Sequence, residues 1–324
     1  MNYIGIDIGG TKTSVSVAND HGKIAAADRI PMKSLPSLDE YLQRLAALCH
    51  ATAEQAGVAF SDIAAVGISA PGPLDVSKGV LIAPPNNPGW HNVPIVEAVK
   101  SRLDKPVFLN HDAKAAALAE YNFGGHGVNN LLYLTCSTGM GGGIVANGRI
   151  VQGVSDGAGE VGHHNVDING PVCSCGKFGC WESYVGGRMV VERAVEQIRS
   201  GNIATSVVDK AGGRLDKIVF KMICDAAREG DPFAVQVWEE FTERMAQGIA
   251  NLVMILNPEL IVLGTIAIYE GDFLMAPLRE KLKKYAWSWL LDPCRIIPSA
   301  LGPHIGDLGA LSVAMTQALP PAAG

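Results

Sequence analysis

Residues 3–12 read YIGIDIGGTK, and this stretch decides the fold. An apolar run from Tyr3 to Ile8 is typical of a buried β-strand, and Gly9-Gly10 ends it. Apolar and polar residues then alternate over 13–17, which predicts a second strand. The stretch therefore predicts a β-hairpin with a glycine-rich turn. Residues 7–12 are named the first glycine loop.

The same arrangement recurs later in the chain. A strand is predicted over 131–136, followed by the second glycine loop, residues 137–142, and by a strand over 143–146. Asn147-Gly148 predicts a tight turn into another strand, over 149–152. Two hairpins of one kind favour two related α/β domains, each presenting a loop of backbone N–H groups.

Helical patterns set the expected domain limits. Apolar residues recur at helical spacing after the capping pair Ser37 and Glu40, again from Asp231 to Leu256, and near 306–317. The last of these helices is expected to pack on the first domain. We therefore predict a small α/β domain over 1–115, completed by a C-terminal helix within 305–324, and a large α/β domain over 116–304.

The composition indicates a globular chain that binds small molecules. Of 324 residues, 48% are hydrophobic, which is enough to build the cores of two domains. The net charge is −6 and Lys and Arg form no cluster, so neither nucleic acid nor a membrane is an expected partner. Residues 1–10 lack the features of a signal peptide. The expected location is the cytoplasm.

Both glycine loops have the composition of phosphate-binding loops. In the first, glycine lets the backbone approach phosphate oxygens, Thr11 and Lys12 can donate hydrogen bonds, and Asp7 can hold a hydrated Mg²⁺ ion. The second loop has a similar composition around Thr138 and Gly139. Either loop alone is also explained as a tight turn. The pair favours a grip on the β- and γ-phosphates of a nucleotide.

Asp112 lies between a predicted strand, 107–109, and an alanine-rich helix, 113–121. One interpretation is a helix N-cap, for which aspartate is common. The other is a general base, because phosphoryl transfer to a hydroxyl needs a carboxylate that accepts the hydroxyl proton. The two glycine loops favour the general base.

A cluster of potential metal ligands is formed by His163, Cys173, Cys175 and Cys180. Three thiolates and one imidazole complete the tetrahedral shell of a structural Zn²⁺ ion. Buried cysteines without metal, and His164 in place of His163, are the alternatives. Residues 173–180 are named the cysteine segment.

Two acidic residues flank this cluster: Glu160 and Glu182. A rigidly held carboxylate suits neighbouring sugar hydroxyls, because its two oxygens can accept a hydrogen bond from each. Each acid is alternatively an ordinary surface charge.

Taken together, these segments resemble the ROK family, which contains bacterial sugar kinases and sugar-responsive repressors. The resemblance spans nearly the whole chain. It rests on 7–12, 67–72, Pro85-Asn86, Gly89-Trp90, Asp112, 137–143, 157–163 and 173–182. It implies a two-domain actin-like ATPase (ribonuclease H-like) fold of hexokinase type with a structural zinc site. The implied activity is glucokinase-like, ATP-dependent phosphorylation of a hexose at C6.

The resemblance also implies roles for individual residues. Asp112 would be the catalytic base, and His163 would serve both zinc and sugar. The positions implied for ATP and Mg²⁺ are Asp7, Gly9, Gly10, Thr11, Lys12, Thr138, Gly139 and Gly264. Those implied for the sugar are Asn86, His111, Asp112, Glu160, His163 and Glu182. A homodimer or homotetramer is expected, without the N-terminal DNA-binding module of the repressors.

The chain departs from the family pattern at two places. His111 and Lys114 stand where glucokinase-like members usually have asparagine, and Thr265-Ile266 replaces a run of glycines beside the nucleotide. The first departure leaves N-acetylmannosamine, N-acetylglucosamine, fructose and allose open as acceptors beside glucose. The second leaves open a non-catalytic sugar-binding protein.

Overall fold

A computed structural model describes residues 1–32, 37–84 and 89–318. The chain forms two compact units. Unit 1 contains Met1–Asn129, Gly143–Gly159 and Ala300–Gly324, and unit 2 contains Asn130–Gly142 and Glu160–Ser299.

The strands and helices follow the predicted α/β pattern. The strands are β1 (Asn2–Ile8), β2 (Lys12–Asn19), β3 (Ile24–Pro31), β4 (Ile63–Ala70), β5 (Leu74–Asp75), β6 (Val80–Leu81), β7 (Val107–His111), β8 (Leu131–Cys136), β9 (Met140–Ala146), β10 (Arg149–Ile150), β11 (Leu260–Leu263) and β12 (Arg295–Pro298). The helices are α1 (Leu38–Gln55), α2 (Ile95–Leu103), α3 (Asp112–Phe123), α4 (Glu182–Val185), α5 (Gly187–Gly201), α6 (Ser206–Lys210), α7 (Phe220–Arg228), α8 (Pro232–Leu256), α9 (Ile266–Glu270), α10 (Asp272–Leu282), α11 (Ser288–Leu291) and α12 (Ile305–Ala318).

The main sheet of unit 1 has the order β3-β2-β1-β4-β7. The predicted hairpin of β1 and β2 is confirmed, and β4 runs parallel to both β1 and β7. Side chains alternate along β1, so Ile4, Ile6 and Ile8 enter the core shared with α1 and α2. Tyr3 belongs to a second core, shared with α12. The sheet is therefore covered by helices on both faces.

Helix α12 lies directly on a pair of glycines. Gly5 of β1 pairs with Gly67 of β4 across the sheet. A Cβ at Gly67 would lie 2.1 Å from the Ala310 carbonyl oxygen, and one at Gly5 would lie 2.9 Å from the Leu311 nitrogen. Only residues without side chains allow this approach of helix backbone to sheet backbone.

Unit 2 combines three parallel strands of a mixed sheet with a group of helices. Strand β11 lies between β8 and β12 and runs parallel to both. The long helix α8 begins with the Asp231 side chain accepting a hydrogen bond from the Ala234 N–H, 2.9 Å away. The fully buried Trp181 packs on Gly248 of α8, where a Cβ would lie 2.0 Å from the ring. Trp181 thus anchors the end of the cysteine segment.

Among helices of the described ranges, none has the length and apolarity to cross a membrane.

We predict that Gly67→Ala lowers the free energy of unfolding by about 1–3 kcal/mol or more, because the new methyl group forces α12 away from the sheet. Chemical denaturation provides the measurement. Gly157→Ala is the matched control, since a Cβ there meets only the Ser155 hydroxyl at an ordinary 3.5 Å. Equal stabilities of the two variants would contradict the close packing of α12.

Candidate functional site

The first glycine loop has backbone donors directed away from protein acceptors. The Gly9 N–H closes the turn by donating to the Lys12 carbonyl, 3.0 Å away, and the Met32 N–H donates to the Thr11 carbonyl. Among the described residues, no acceptor is found for the N–H groups of Gly10 and Thr11. Two adjacent unpaired N–H groups form a site suited to an anion.

Asp7 lies at the end of β1, beside this loop. Its Oδ1 accepts a hydrogen bond from the Ser69 hydroxyl, 3.1 Å away. Burial raises the pKa of Asp7 to about 6; the Ser69 hydrogen bond opposes the rise, and the negative charges of Asp307 and Asp112 add to it. Asp307 is itself held by the Ser14 hydroxyl at 2.6 Å. Unit 1 therefore concentrates negative charge beside the first glycine loop, an environment suited to a cation.

Asp112 is the first residue of α3 and directly follows β7. Its side chain is 52% exposed, and its Oδ1 lies 2.9 Å from His111 Nδ1. The same oxygen accepts a hydrogen bond from the Ala113 N–H, at 2.6 Å. The His111 ring packs against Gly72, where a Cβ would lie 3.0 Å from the ring. The carboxylate is thus oriented by its neighbours while remaining accessible to solvent.

Lys114 is 3% exposed and has a structural partner that the sequence did not reveal. Its Nζ donates hydrogen bonds to the carbonyl oxygens of Asp156, at 2.6 Å, and Gln152, at 3.3 Å. The Asp156 side chain in turn accepts from the Val76 N–H, at 2.9 Å. Lys114 therefore fixes the loop after β10. A lysine within an alanine-rich helix was the available signal.

The second glycine loop is held in unit 2 by the start of α5. The Gly187 N–H donates to the Ser137 carbonyl at 2.8 Å, and the Arg188 N–H donates to the Thr138 carbonyl at 3.0 Å. In the described part of the chain, the N–H groups of Thr138 and Gly139 have no protein acceptor. The two loops thus share one property, a pair of adjacent open donors.

A cavity of about 800 Å³ opens beside this second loop within unit 2. Its walls include Thr138, Arg188, Phe220, Thr265 and Ile266. The volume is in the range of pockets for nucleotide-sized ligands. The departure at Thr265-Ile266 therefore places side chains in the cavity wall.

Thr265 adopts an unusual backbone conformation, with φ at +45° and ψ at −93°. Its hydroxyl lies 3.0 Å from that of Thr135, which supports this strained position. Gly264 does not line the cavity. A Cβ at Gly264 would lie 2.2 Å from the Tyr133 hydroxyl, so packing against Tyr133 requires glycine there.

The four predicted metal ligands come together in unit 2. The ligand atoms of His163, Cys173, Cys175 and Cys180 all lie within 4.8 Å of one another. The Sγ atoms of Cys175 and Cys180 are 3.7 Å apart, and Cys173 Sγ lies 3.7 Å from His163 Nδ1. A tetrahedron with Zn–S bonds of about 2.3 Å has sulfur–sulfur edges of about 3.8 Å. The donor set and its spacing therefore fit Zn²⁺.

The surroundings of the cluster favour His163 over His164 as ligand. His164 Nδ1 lies 2.5 Å from the Val161 carbonyl oxygen, and its Nε2 lies 3.3 Å from the Asn251 amide.

Burial opposes ionisation of the Cys173 thiol, but hydrogen bonds, the largest from the Cys175 N–H, lower the pKa of this thiol to about 6. A thiol already poised to ionise suits a metal ligand.

Glu182 lies between the cysteine segment and the second glycine loop. Its Oε2 accepts from the Met140 N–H at 2.8 Å, and its Oε1 accepts from the Ser174 hydroxyl at 3.2 Å. Glu160 is exposed and directly precedes the short 3₁₀ turn Val161–His163. Asn86 lies outside the described residues. The sequence predicted Glu182 to contact sugar but gave no signal for its hydrogen bond to the Met140 N–H.

Comparisons with known proteins cover nearly the whole chain. A family model described as the ROK family matches residues 3–317. A glucokinase from Thermotoga maritima is 33% identical, with 97% of each chain covered. A xylose repressor from Caldicellulosiruptor bescii is 30% identical, covering 98% of this chain and 79% of the repressor.

Two solved structures are similar along their entire length. The ROK hexokinase of Thermus thermophilus has a TM-score of 0.85 and 30% identity, with 98% of this chain and 99% of that chain covered. A ROK family glucokinase from Streptomyces griseus, in complex with glucose and AMPPNP, has a TM-score of 0.75 and 31% identity. The coverage is 98% of this chain and 100% of the glucokinase.

We predict about one Zn²⁺ per purified chain, because the four donors complete a tetrahedral shell. Elemental analysis measures the metal content. Cys175→Ser should lose zinc and unfold at a lower temperature, whereas the control Cys294→Ser, outside the cluster, should retain it. Full zinc content in Cys175→Ser would contradict the proposed ligand set.

We predict that Asp7→Asn stabilises the free protein near pH 7.5. Folding raises the pKa of the Asp7 carboxyl to about 6. The free energy of unfolding therefore falls as the pH rises above the pKa that Asp7 has in the unfolded chain, and the loss is complete above the folded pKa. At pH 7.5 the substitution raises the free energy of unfolding by at most about 3 kcal/mol, and the difference between variant and wild type disappears near pH 4. Denaturation between pH 4 and 8 measures it, with exposed Asp62→Asn as control. A less stable Asp7→Asn at pH 7.5 would be evidence against this electrostatic origin.

Proposed function

The chain belongs to the ROK family and is an ATP-dependent sugar kinase, and from this premise we propose that it phosphorylates a hexose, foremost glucose, at the C6 hydroxyl. The expected α/β fold of actin-like ATPase type is confirmed. The observation that carries the finer proposal is Asp112, an accessible carboxylate in the unit that also holds Asp7 and the first glycine loop.

In the proposed reaction Asp112 acts as general base. The C6 oxygen attacks the γ-phosphorus of ATP and loses its proton to the Asp112 carboxylate. A new oxygen–phosphorus bond forms at C6, the bond from the γ-phosphorus to the β-bridging oxygen breaks, and ADP leaves. The contacts of Asp112 with the Ala113 N–H and the His111 ring support a fixed direction of approach.

The donor groups proposed for ATP are the open N–H pairs of the two glycine loops, with the unit 2 cavity accepting the nucleoside. Mg²⁺, when bound with ATP, neutralises charge on the phosphoryl oxygens. The raised pKa of Asp7, caused first by burial, supports a cation there, because a nearby positive charge relieves the cost of its ionised form. Lys12 is the proposed side-chain donor from the first loop.

The acceptor contacts are carried over from the family resemblance. Glu160, His163 and Glu182 are proposed to bind sugar hydroxyls from unit 2. The proposed Zn²⁺ ion is structural, since its four protein ligands leave no position for substrate. Ordering of the cysteine segment supports this role, because Trp181 anchors its end in a fully buried site.

A second candidate is a sugar-responsive binding protein without turnover. It is favoured by the similarity to a xylose repressor and by the side chains of Thr265 and Ile266 in the cavity wall. ADP release by purified protein distinguishes the two. The panel of acceptors is glucose, mannose, fructose, N-acetylglucosamine, N-acetylmannosamine, allose and xylose. Sugar binding without ADP release from any of them would favour the second candidate.

We predict that Asp112→Asn lowers kcat about 10²–10⁴-fold, because the amide cannot accept the hydroxyl proton. Sugar affinity should change little, since the amide keeps the shape of the side chain. A coupled ADP-release assay gives kcat, and calorimetric titration gives the sugar Kd. The matched control is Glu97→Gln, which removes a first-turn acid from α2 of the same unit. A near wild-type kcat for Asp112→Asn would leave Asp112 as a first-turn acid of α3, the helix whose N-cap is His111.

A further inference from the structure

We infer that Glu182 is a positioning residue for the phosphate donor, in addition to its proposed contact with sugar. This inference rests on the proposed function and concerns the second glycine loop. In it, Glu182 holds the loop so that the N–H groups of Thr138 and Gly139 remain open to the phosphates of the nucleotide.

The hydrogen bonds of Glu182 reach both neighbouring segments. Oε2 accepts from the Met140 N–H, the next donor after the two open N–H groups of the loop. Oε1 accepts from the hydroxyl of Ser174, which lies between two of the proposed metal ligands. Hydrogen bonds to an ionised group are stronger than neutral ones. The carboxylate therefore connects the cysteine segment to the second glycine loop.

Glycines allow Glu182 and the residues after it to approach the loop closely. A Cβ at Gly139 would lie 2.5 Å from Glu182 Oε2, and one at Gly187 would lie 2.6 Å from the Ser137 carbonyl oxygen. A Cβ at Gly186 would lie 3.3 Å from Gly139 Cα. The loop thus rests on the backbone of 186–187 on one side and on the Glu182 carboxylate on another.

The direction of the open donors follows from this support. The N–H groups of Gly187 and Arg188 donate to the carbonyls of Ser137 and Thr138. In a trans peptide the N–H points away from the carbonyl, so the N–H groups of Thr138 and Gly139 point away from the start of α5. The Glu182 bond fixes the next N–H, that of Met140. Without an acceptor at Oε2, the Gly139–Met140 peptide loses one of its two hydrogen bonds and keeps the other, in which the Gly139 carbonyl accepts from the Ser137 N–H. Donor binding should weaken even in the absence of sugar.

The test is the Kd for ADP, measured by calorimetry without sugar. Glu182→Ala removes the acceptor for Met140 and should raise this Kd about tenfold, the size expected for one hydrogen bond to a charged group. Glu182→Gln keeps a carbonyl oxygen for Met140 and should retain the ADP affinity within about threefold. Ser174→Ala removes the hydroxyl donor to Oε1 but keeps the weaker contact of Cys173 Sγ with Oε1 at 4.0 Å, and should have an intermediate effect.

Glu160→Ala is the matched control, because Glu160 is the other acid proposed to contact sugar and precedes a separate 3₁₀ turn. It should weaken sugar binding and leave the ADP Kd unchanged. Zinc content and thermal unfolding of each variant establish that it is folded. If Glu182→Ala does not fold, amide hydrogen exchange at Met140, whose N–H donates to Glu182 Oε2, provides the measurement in Ser174→Ala and Glu182→Gln. Faster exchange at Met140 in Ser174→Ala than in wild type is expected.

A folded, zinc-containing Glu182→Ala with the wild-type ADP Kd would overturn the inference, as would wild-type exchange at the Met140 amide in Ser174→Ala. These readouts are separate from phosphoryl transfer. A protein that binds ADP in a Glu182-dependent manner but phosphorylates no sugar would refute the proposed function while leaving the positioning role intact.

Discussion

The contact between α12 and the glycine pair Gly5 and Gly67 is the constraint on which the architecture of unit 1 depends. With no side chain between helix and sheet, the first turn of α12 reaches the end of β1, and Asp307 bonds to Ser14. A Cβ at Gly306 would lie 2.5 Å from Asp7 Oδ2, which shows how closely this turn approaches the acid. The electrostatic character of the site thus results from a backbone packing contact.

The acids beside the first glycine loop lower the stability of the free protein but suit its proposed function. Burial is the main reason why the ionised form of Asp7 is disfavoured, and the negative charges of nearby acids add to it. The raised pKa of Asp7 is the result. A compact protein selected only for stability would replace one of these acids. These acids are expected to be kept if the functional form of the protein binds a cation beside them. The thiols of the cysteine segment present the same situation in unit 2, since four closely spaced donors are most stable around a metal.

The sequence predicted those features that are encoded locally. Alternation along 3–8 identified β1, and the spacing of the cysteines identified a cluster that the structure does assemble. Features that depend on distant partners were not predictable in this way. Nothing in 3–8 shows that Gly5 faces Gly67, and nothing near Glu182 shows a bond to Met140. Lys114 was read only as a departure from the family pattern, whereas its observed partners are two carbonyl groups of the loop at 152–156.

The position of α12 also has a consequence for synthesis of the chain. Between Gly67 and Ala310 a ribosome adds about 240 residues, which takes on the order of 10–50 s at the usual rate. Throughout that interval the sheet face of Tyr3 and Gly5 has no helix α12 to cover it, and the whole of unit 2 is made before α12 emerges. The face of the nascent sheet that α12 later covers is thus open to chaperones, and to aggregation, until synthesis is nearly complete.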